Sequence, residues 1–141
     1  MDDTLARYPG YSLRRAANST GAELSTRLAD LGLRQADASV LIILGESPDI
    51  TASALGRQLD IQRANMVPLL KRMDEAGLIQ RRAIDGKSQG LALTAKGRKT
   101  QEAALQIIEN FETDLLARIP AQHRAHLLPA LNALWGADDN E

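Results

Sequence analysis

The chain has 141 residues, enough for one compact domain, and its 44% hydrophobic content with only 3% aromatic residues requires an aliphatic core. The absence of cysteine excludes disulfides, thiolate metal sites and cysteine redox sensing. A net charge of −1, taken as a total, argues against a nucleic-acid binder.

In chain order, the N-terminus MDDTLARYPGY carries acidic residues where a secretory signal needs positive ones, and no apolar segment follows it. No run approaches the ~18 consecutive apolar residues of a membrane span, so a cytoplasmic protein with no membrane contact is expected. Residues 11–31 place Leu13, Ala16, Ala17, Thr20, Leu24, Leu28 and Leu31 at spacings of three and four, which predicts a long helix closed by Gly32. Residues 35–44, QADASVLIIL, predict a shorter buried helix, and GESPD a loop. Thr51 is a suitable N-cap for a helix over 52–59, with Ala54, Leu55 and Leu59 on its inner face. Asp60 and Ile61 make a tight turn into a second helix from about Arg63 to Ala76, ended by Gly77. Two short helices joined so tightly fit a helix-turn-helix.

Next, LIQRRAI (78–84), Asp85-Gly86 and KSQGLALT predict a hairpin, because Asp-Gly joins two β-prone runs. Thr94 then caps a long helix whose apolar row runs through Leu105, Ile108, Phe111, Leu115 and Ile119. Pro120 interrupts the row, and a last helix carries Leu127, Leu128, Leu131, Leu134 and Trp135. The expected fold is mainly α with a small β-hairpin wing. A winged helix-turn-helix over 35–94 is joined by dimerisation helices over 11–31 and 95–135, in a single domain spanning 1–141. The outer helices are too long and too apolar to serve only as support. Their most economical use is to pack against a second copy, as a homodimer.

Charge is unevenly laid out. Residues 51–100 hold ten Lys/Arg against four Asp/Glu, a surplus of +6, whereas 1–50 hold five against seven and 101–141 two against seven. Local charge matters more to a phosphate backbone than the total, although a solvated surface can also cluster by chance.

The basic block contains IQRANMVPLLKR (61–72). With Met66 pointing inward on a helical wheel, Gln62, Leu69, Leu70 and Met73 fall beside it. Ala64, Pro68, Lys71 and Glu75 lie opposite, Asn65 and Arg72 on one side, Arg63 and Val67 on the other. Pro68 removes a backbone donor from a helix interior, at a cost of up to ~3 kcal/mol. With Ala64 it forms a small apolar floor that allows close approach to base edges and contact with thymine methyls. Asn65 suits a bidentate contact with adenine, and Arg63 or Arg72 one with guanine or phosphate. The candidate DNA-binding residues are Gln62, Arg63, Ala64, Asn65, Pro68, Lys71 and Arg72, joined by Arg82 and Lys87 from the hairpin beside Arg81. Asp85 holds the turn or a neighbouring cation. The alternatives are an ordinary buried helix with a tolerated kink and a winged helix that contacts protein.

Other residues carry less. His123 and His126 stand three apart without a matching carboxylate or cysteine, which favours surface histidines over a metal site. Trp135 suits an interface or core anchor. Tyr8, Tyr11 and Arg15 offer hydroxyls and a cation to an anionic aromatic effector, with Arg15 or Arg34 pairing its carboxylate. Tyrosines capping a helix entry read the same way. No phosphate loop, nucleophile elbow or metal-spaced His/Glu motif is present, so neither an enzyme nor a cofactor is expected.

The stretch RQLDIQRANMVPLLKRMDEAGLIQRR followed by DGKSQGLALTAKG resembles the MarR family of bacterial transcriptional regulators, over roughly residues 11–135. The resemblance implies a homodimer on a pseudo-palindromic operator in double-stranded DNA, usually a repressor released by a small aromatic or phenolic acid. Two departures stand out. The family wing usually carries an aspartate followed two residues later by arginine, where this chain has Asp85, Gly86 and Lys87; lysine keeps the charge but loses the planar fork. Arg34 also replaces a common threonine at the cap of the second helix, in a region that often lines the effector pocket. Two rival readings stay open: a winged-helix module for an acidic protein partner, and a DNA-binding regulator without small-molecule control.

Overall fold

Caps written into the sequence set several element boundaries. In a computed structural model that describes residues 3–137, a 3-10 turn over Thr4–Arg7 precedes α1 (Pro9–Ala29), α2 (Gln35–Glu46), α3 (Ala52–Leu59) and α4 (Arg63–Glu75). Strands β1 (Ile79–Ala83) and β2 (Gln89–Leu93) follow, then α5 (Ala95–Arg118) and α6 (Ala121–Trp135). The acidic residues Asp2, Asp138, Asp139 and Glu141 of the charge count lie outside the described residues. The Thr51 side chain accepts the Ala54 N–H at 3.1 Å and starts α3. Gly77 ends α4 with a φ of +75°, and Asp60 takes a left-handed φ of +53° in the turn between α3 and α4. The fold is therefore the expected one, mainly helical with a two-stranded antiparallel wing.

The chain divides into two compact units, one ending at Ile108 and the other beginning at Glu109, so the boundary falls inside α5. The first unit has an aliphatic core built from Leu28, Val40, Leu41, Leu44, Leu55, Met66, Leu70, Met73 and Leu91, among others. Removing each such side chain from water stabilises the fold by ~1.5–3 kcal/mol. Only the C-terminal half of the α1 stripe joins it: Leu28 is buried and Leu24 and Leu31 pack alongside, while Leu13, Ala16 and Ala17 are exposed.

The wing departs from the tight turn that Asp-Gly usually forms. Ala83 pairs with Gln89, which leaves a five-residue loop over 84–88. The Asp85 carboxylate accepts the N–H groups of Lys87 and Ser88, both at 2.8 Å, and this local pairing shapes the tip. Gly86 needs no left-handed backbone there. At the root, Ile50 bridges Leu91 and extends the hairpin towards the loop before α3. Gly90 is required at that crossing, since a Cβ would lie 2.6 Å from the Asp49 backbone.

The end of α4 is clamped by the first turn of α5. Thr94 Oγ1 donates to the Gly77 carbonyl and accepts the Gly97 N–H at 2.9 Å, while Lys96 Nζ donates to the Ala76 carbonyl at 2.7 Å. Gly97 is buried against the Leu78 carbonyl, where no side chain fits. In the second unit, the Arg124 guanidinium donates to the Ile119 and Ala117 carbonyls at 2.8 and 3.2 Å and satisfies the end of α5. The α6 helix has an internal proline, Pro129, and exposes Leu128, Leu134 and Trp135.

Candidate nucleic-acid interface

Helix α4 separates its faces sharply. Met66, Leu69, Leu70 and Met73 are buried, and Ala64, Val67, Pro68, Lys71 and Glu75 are all exposed. The helix runs unbroken through Pro68, so the Ala64 carbonyl lacks its helical donor and is left to water on the exposed side. Gln62 differs from the wheel. It is the N-cap, with an extended backbone, and is exposed instead of turned inward, because the helix begins only at Arg63. Arg63 and Asn65 are exposed in the first turn.

Arg72, expected at one side of the helix as a contact for guanine or phosphate, pairs its guanidinium with Asp37 at the start of α2. Asp37 is the one buried charged residue among those described, and burying its charge requires this partner. Its other oxygen accepts the Arg34 N–H at 2.8 Å, so one carboxylate caps α2 and ties α4 to it.

At the wing, Arg82 Nε donates to Asp49 Oδ1 at 3.0 Å, with both side chains about half exposed. Lys87 sits exposed at the tip. The two hydrogen bonds from the Lys87 and Ser88 N–H groups hold the Asp85 carboxyl below its ordinary pKa. Asp85 therefore holds the turn through backbone donors, not through a side-chain cation.

A groove of about 810 Å³ opens between α3, α4 and β1. Val67 stands on its wall, 63% exposed, with Arg57, Arg63, Lys71 and Arg81 around it. Arg63, Lys71 and Arg81 have no side-chain partner among the described residues. The wall is apolar, and its rim sets the four cations against Asp60 and Asp74, a positive balance suited to a polyanion with apolar groups between its charges.

The expected effector residues do not form one cluster within the chain. Arg15 donates to the Tyr11 hydroxyl at 2.7 Å and lies 3.8 Å from Asp3, near the start of α1. Arg34 caps α2 elsewhere: its neighbour Gln35 bonds Gly21 and Ser25. Those positions lie six and ten residues beyond Arg15, about 9 and 15 Å further along the helix axis. Tyr11 is spent on local pairing, including a stacked Arg14 at 5.4 Å. No sequence motif points to Asp37 or Asp49 as a partner for Arg72 or Arg82. Asp37 had one local signal, an acidic residue in the first turn of α2. His123 and His126 are exposed on α6.

A helix-turn-helix whose second helix turns a polar and cationic face outward, followed by a hairpin, defines a winged helix-turn-helix protein. Residues 33–86 match the model of the MarR family. The match runs from the start of α2 to the wing tip, and over that part the chain is similar to the family. It is 29% identical over 131 residues to the HTH-type transcriptional repressor Rv2887 of Mycobacterium tuberculosis, covering 92% of this chain and 94% of the relative. A structure of that relative in complex with DNA superposes with a TM-score of 0.74 at 25% identity, over 89% of this chain and 96% of the other. The same relative with salicylic acid gives a TM-score of 0.72 at 28% identity, over 94% and 98%. A probable transcriptional regulator from Pseudomonas aeruginosa gives 0.82 at 29% identity, over 92% and 98%. No helix among the described residues is long and apolar enough to cross a membrane.

Proposed function

We propose that the protein is a homodimeric transcriptional repressor that binds a pseudo-palindromic operator in double-stranded DNA. The observation that carries this reading is the outer face of α4, where Ala64, Val67 and Pro68 stand exposed between Asn65, Arg63 and Lys71. An α-helix fits the major groove, and these groups meet base edges and phosphates there. Gln62 and Arg63, at the N-terminal end, enter first. Lys87 at the wing tip reaches the flanking backbone, and Arg82 supports the wing root through Asp49. Arg72 acts from behind, fixing α4 against α2. The DNA complex of a relative that matches most of this chain supports the same mode.

Dimerisation is assigned to the helices outside residues 35–94. In the first unit Leu5, Tyr8 and Leu13 are exposed, and in the second Leu116, Leu128, Leu134 and Trp135 are. So many large apolar side chains uncovered suit burial against a second copy. Two copies would set their α4 helices in successive major grooves, with half-site centres ~10 bp apart. Release by a small aromatic acid is supported by the relative bound to salicylic acid. Such an effector regulates only if it prefers one spacing of the two DNA heads.

Fluorescence anisotropy on DNA from upstream of the gene, against a shuffled duplex and across salt concentrations, tests the reading. Preferential binding that survives physiological salt, by a species of twice the chain mass, is expected. Equal weak binding lost with salt, on this DNA and on duplexes selected from a random pool, would turn the reading towards a protein partner.

A further inference from the structure

We infer that the exposed stripe Ala64, Val67 and Pro68 reads thymine 5-methyl groups, so that the preferred half-site presents thymines where α4 lies in the groove. This rests on the DNA-binding reading above and adds the chemistry of the recognised edge. Ala64 and Pro68 lie opposite the buried face of α4, with Lys71 and Glu75 continuing their line, and Val67 stands on the adjoining flank beside Arg63. None of the three side chains can donate or accept a hydrogen bond, so the centre of the helix cannot distinguish bases by their polar edges. Thymine methyl is the apolar group that the major groove displays, and it distinguishes T from C.

Two features of the surroundings favour DNA over an apolar protein partner as the occupant. The stripe borders a groove where Arg57, Arg63, Lys71 and Arg81 outnumber Asp60 and Asp74, a positive balance complementary to flanking phosphates. One of the two guanidinium groups suited to guanine, Arg72, is held by Asp37 instead. Arg63 remains for guanine or phosphate, and Asn65, exposed next to the stripe, pairs with adenine, the partner of thymine. The same base pair thus satisfies both kinds of side chain. Val67, at 63% exposure, has the largest apolar surface to bury.

The test replaces thymine with deoxyuridine, one position at a time, in the duplex that the protein prefers after selection from a random pool. Only a methyl group is lost, and the charge and pairing edges stay the same. Affinity should fall by about fourfold at each contacted methyl, with an unchanged salt slope. Val67→Ser, an exposed change that leaves the core intact, should abolish the uridine effect at one position and preserve it elsewhere. If the protein discriminates its selected duplex from a shuffled one but no uridine substitution weakens binding, the methyl reading is overturned and the DNA-binding reading stands. If it discriminates no duplex at all, both fall.

Discussion

Asp37 and Arg72, 35 residues apart, form an ion pair in which the carboxylate is buried and the guanidinium side chain remains 39% exposed. The asymmetry gives a directional prediction. Arg72→Ala strands a buried charge, whereas Asp37→Ala leaves an arginine that can turn to water. Urea unfolding should show a loss of about 3 kcal/mol for Arg72→Ala and about 2 kcal/mol for Asp37→Ala, which also loses a cap. Equal or reversed losses would mean that the pair does not hold α4 as described.

Gly97 touches the carbonyl of Leu78 at the junction of β1 with the first turn of α5. A methyl group there must push backbone against backbone. Gly97→Ala should destabilise by roughly 2–4 kcal/mol. Gly86→Ala, at the open wing tip with nothing near its Cβ, should change stability by less than about 0.5 kcal/mol. Thermal unfolding of the two variants separates a packing requirement from a mere turn preference.

Pro68 leaves one carbonyl of α4 without its helical donor on the exposed side. Pro68→Ala restores that hydrogen bond and should stabilise by about 1–3 kcal/mol, raising Tm by several degrees. Its operator preference should shift, since alanine presents a smaller apolar surface to the groove. A more stable variant with an unaltered preference in a random-pool selection would assign Pro68 no part in recognition.

Lys87 projects from the wing tip. If it contacts phosphate, Lys87→Ala should lower the slope of log Kd against log salt by about one. Binding should weaken similarly on all sequences. An unchanged slope would place the wing away from the DNA backbone.

Asp85 accepts two backbone N–H groups as a carboxylate and titrates below the ordinary 3.8. With its folded pKa below its unfolded one, its contribution is present above pH 3.8 and disappears as pH falls through the lower, folded value. An NMR titration should find the Asp85 carboxyl still ionised where free aspartate is half protonated. The Lys87 and Ser88 amide signals should move with the same midpoint. An ordinary midpoint would mean that the turn is not held by this side chain.

How the regular elements arise is legible residue by residue. Thr51 and Thr94 cap α3 and α5 as their positions suggest, and the periodicity of Met66, Leu69, Leu70 and Met73 identifies the buried side of α4. These signals act over three or four residues, so the chain alone reveals them. The wheel fails at Gln62, where the helix has not yet begun and the backbone is extended. Pro129 lies inside α6 without a signal in the pattern, since the apolar residues around it keep their helical spacing.

Residue types and their spacing are enough to give the succession of helices and hairpin, the buried and outward faces of α4, and the basic character of its surroundings. Packing between elements sets which of those cations remain available. Arg72 and Arg82 look equivalent to Arg63 and Arg81 in the chain, but packing brings Asp37 and Asp49 to them across 35 and 33 residues. No periodicity encodes such a meeting. It depends on where α2 and its following loop come to rest against α4 and the wing, and a carboxylate buried there must take a cation with it.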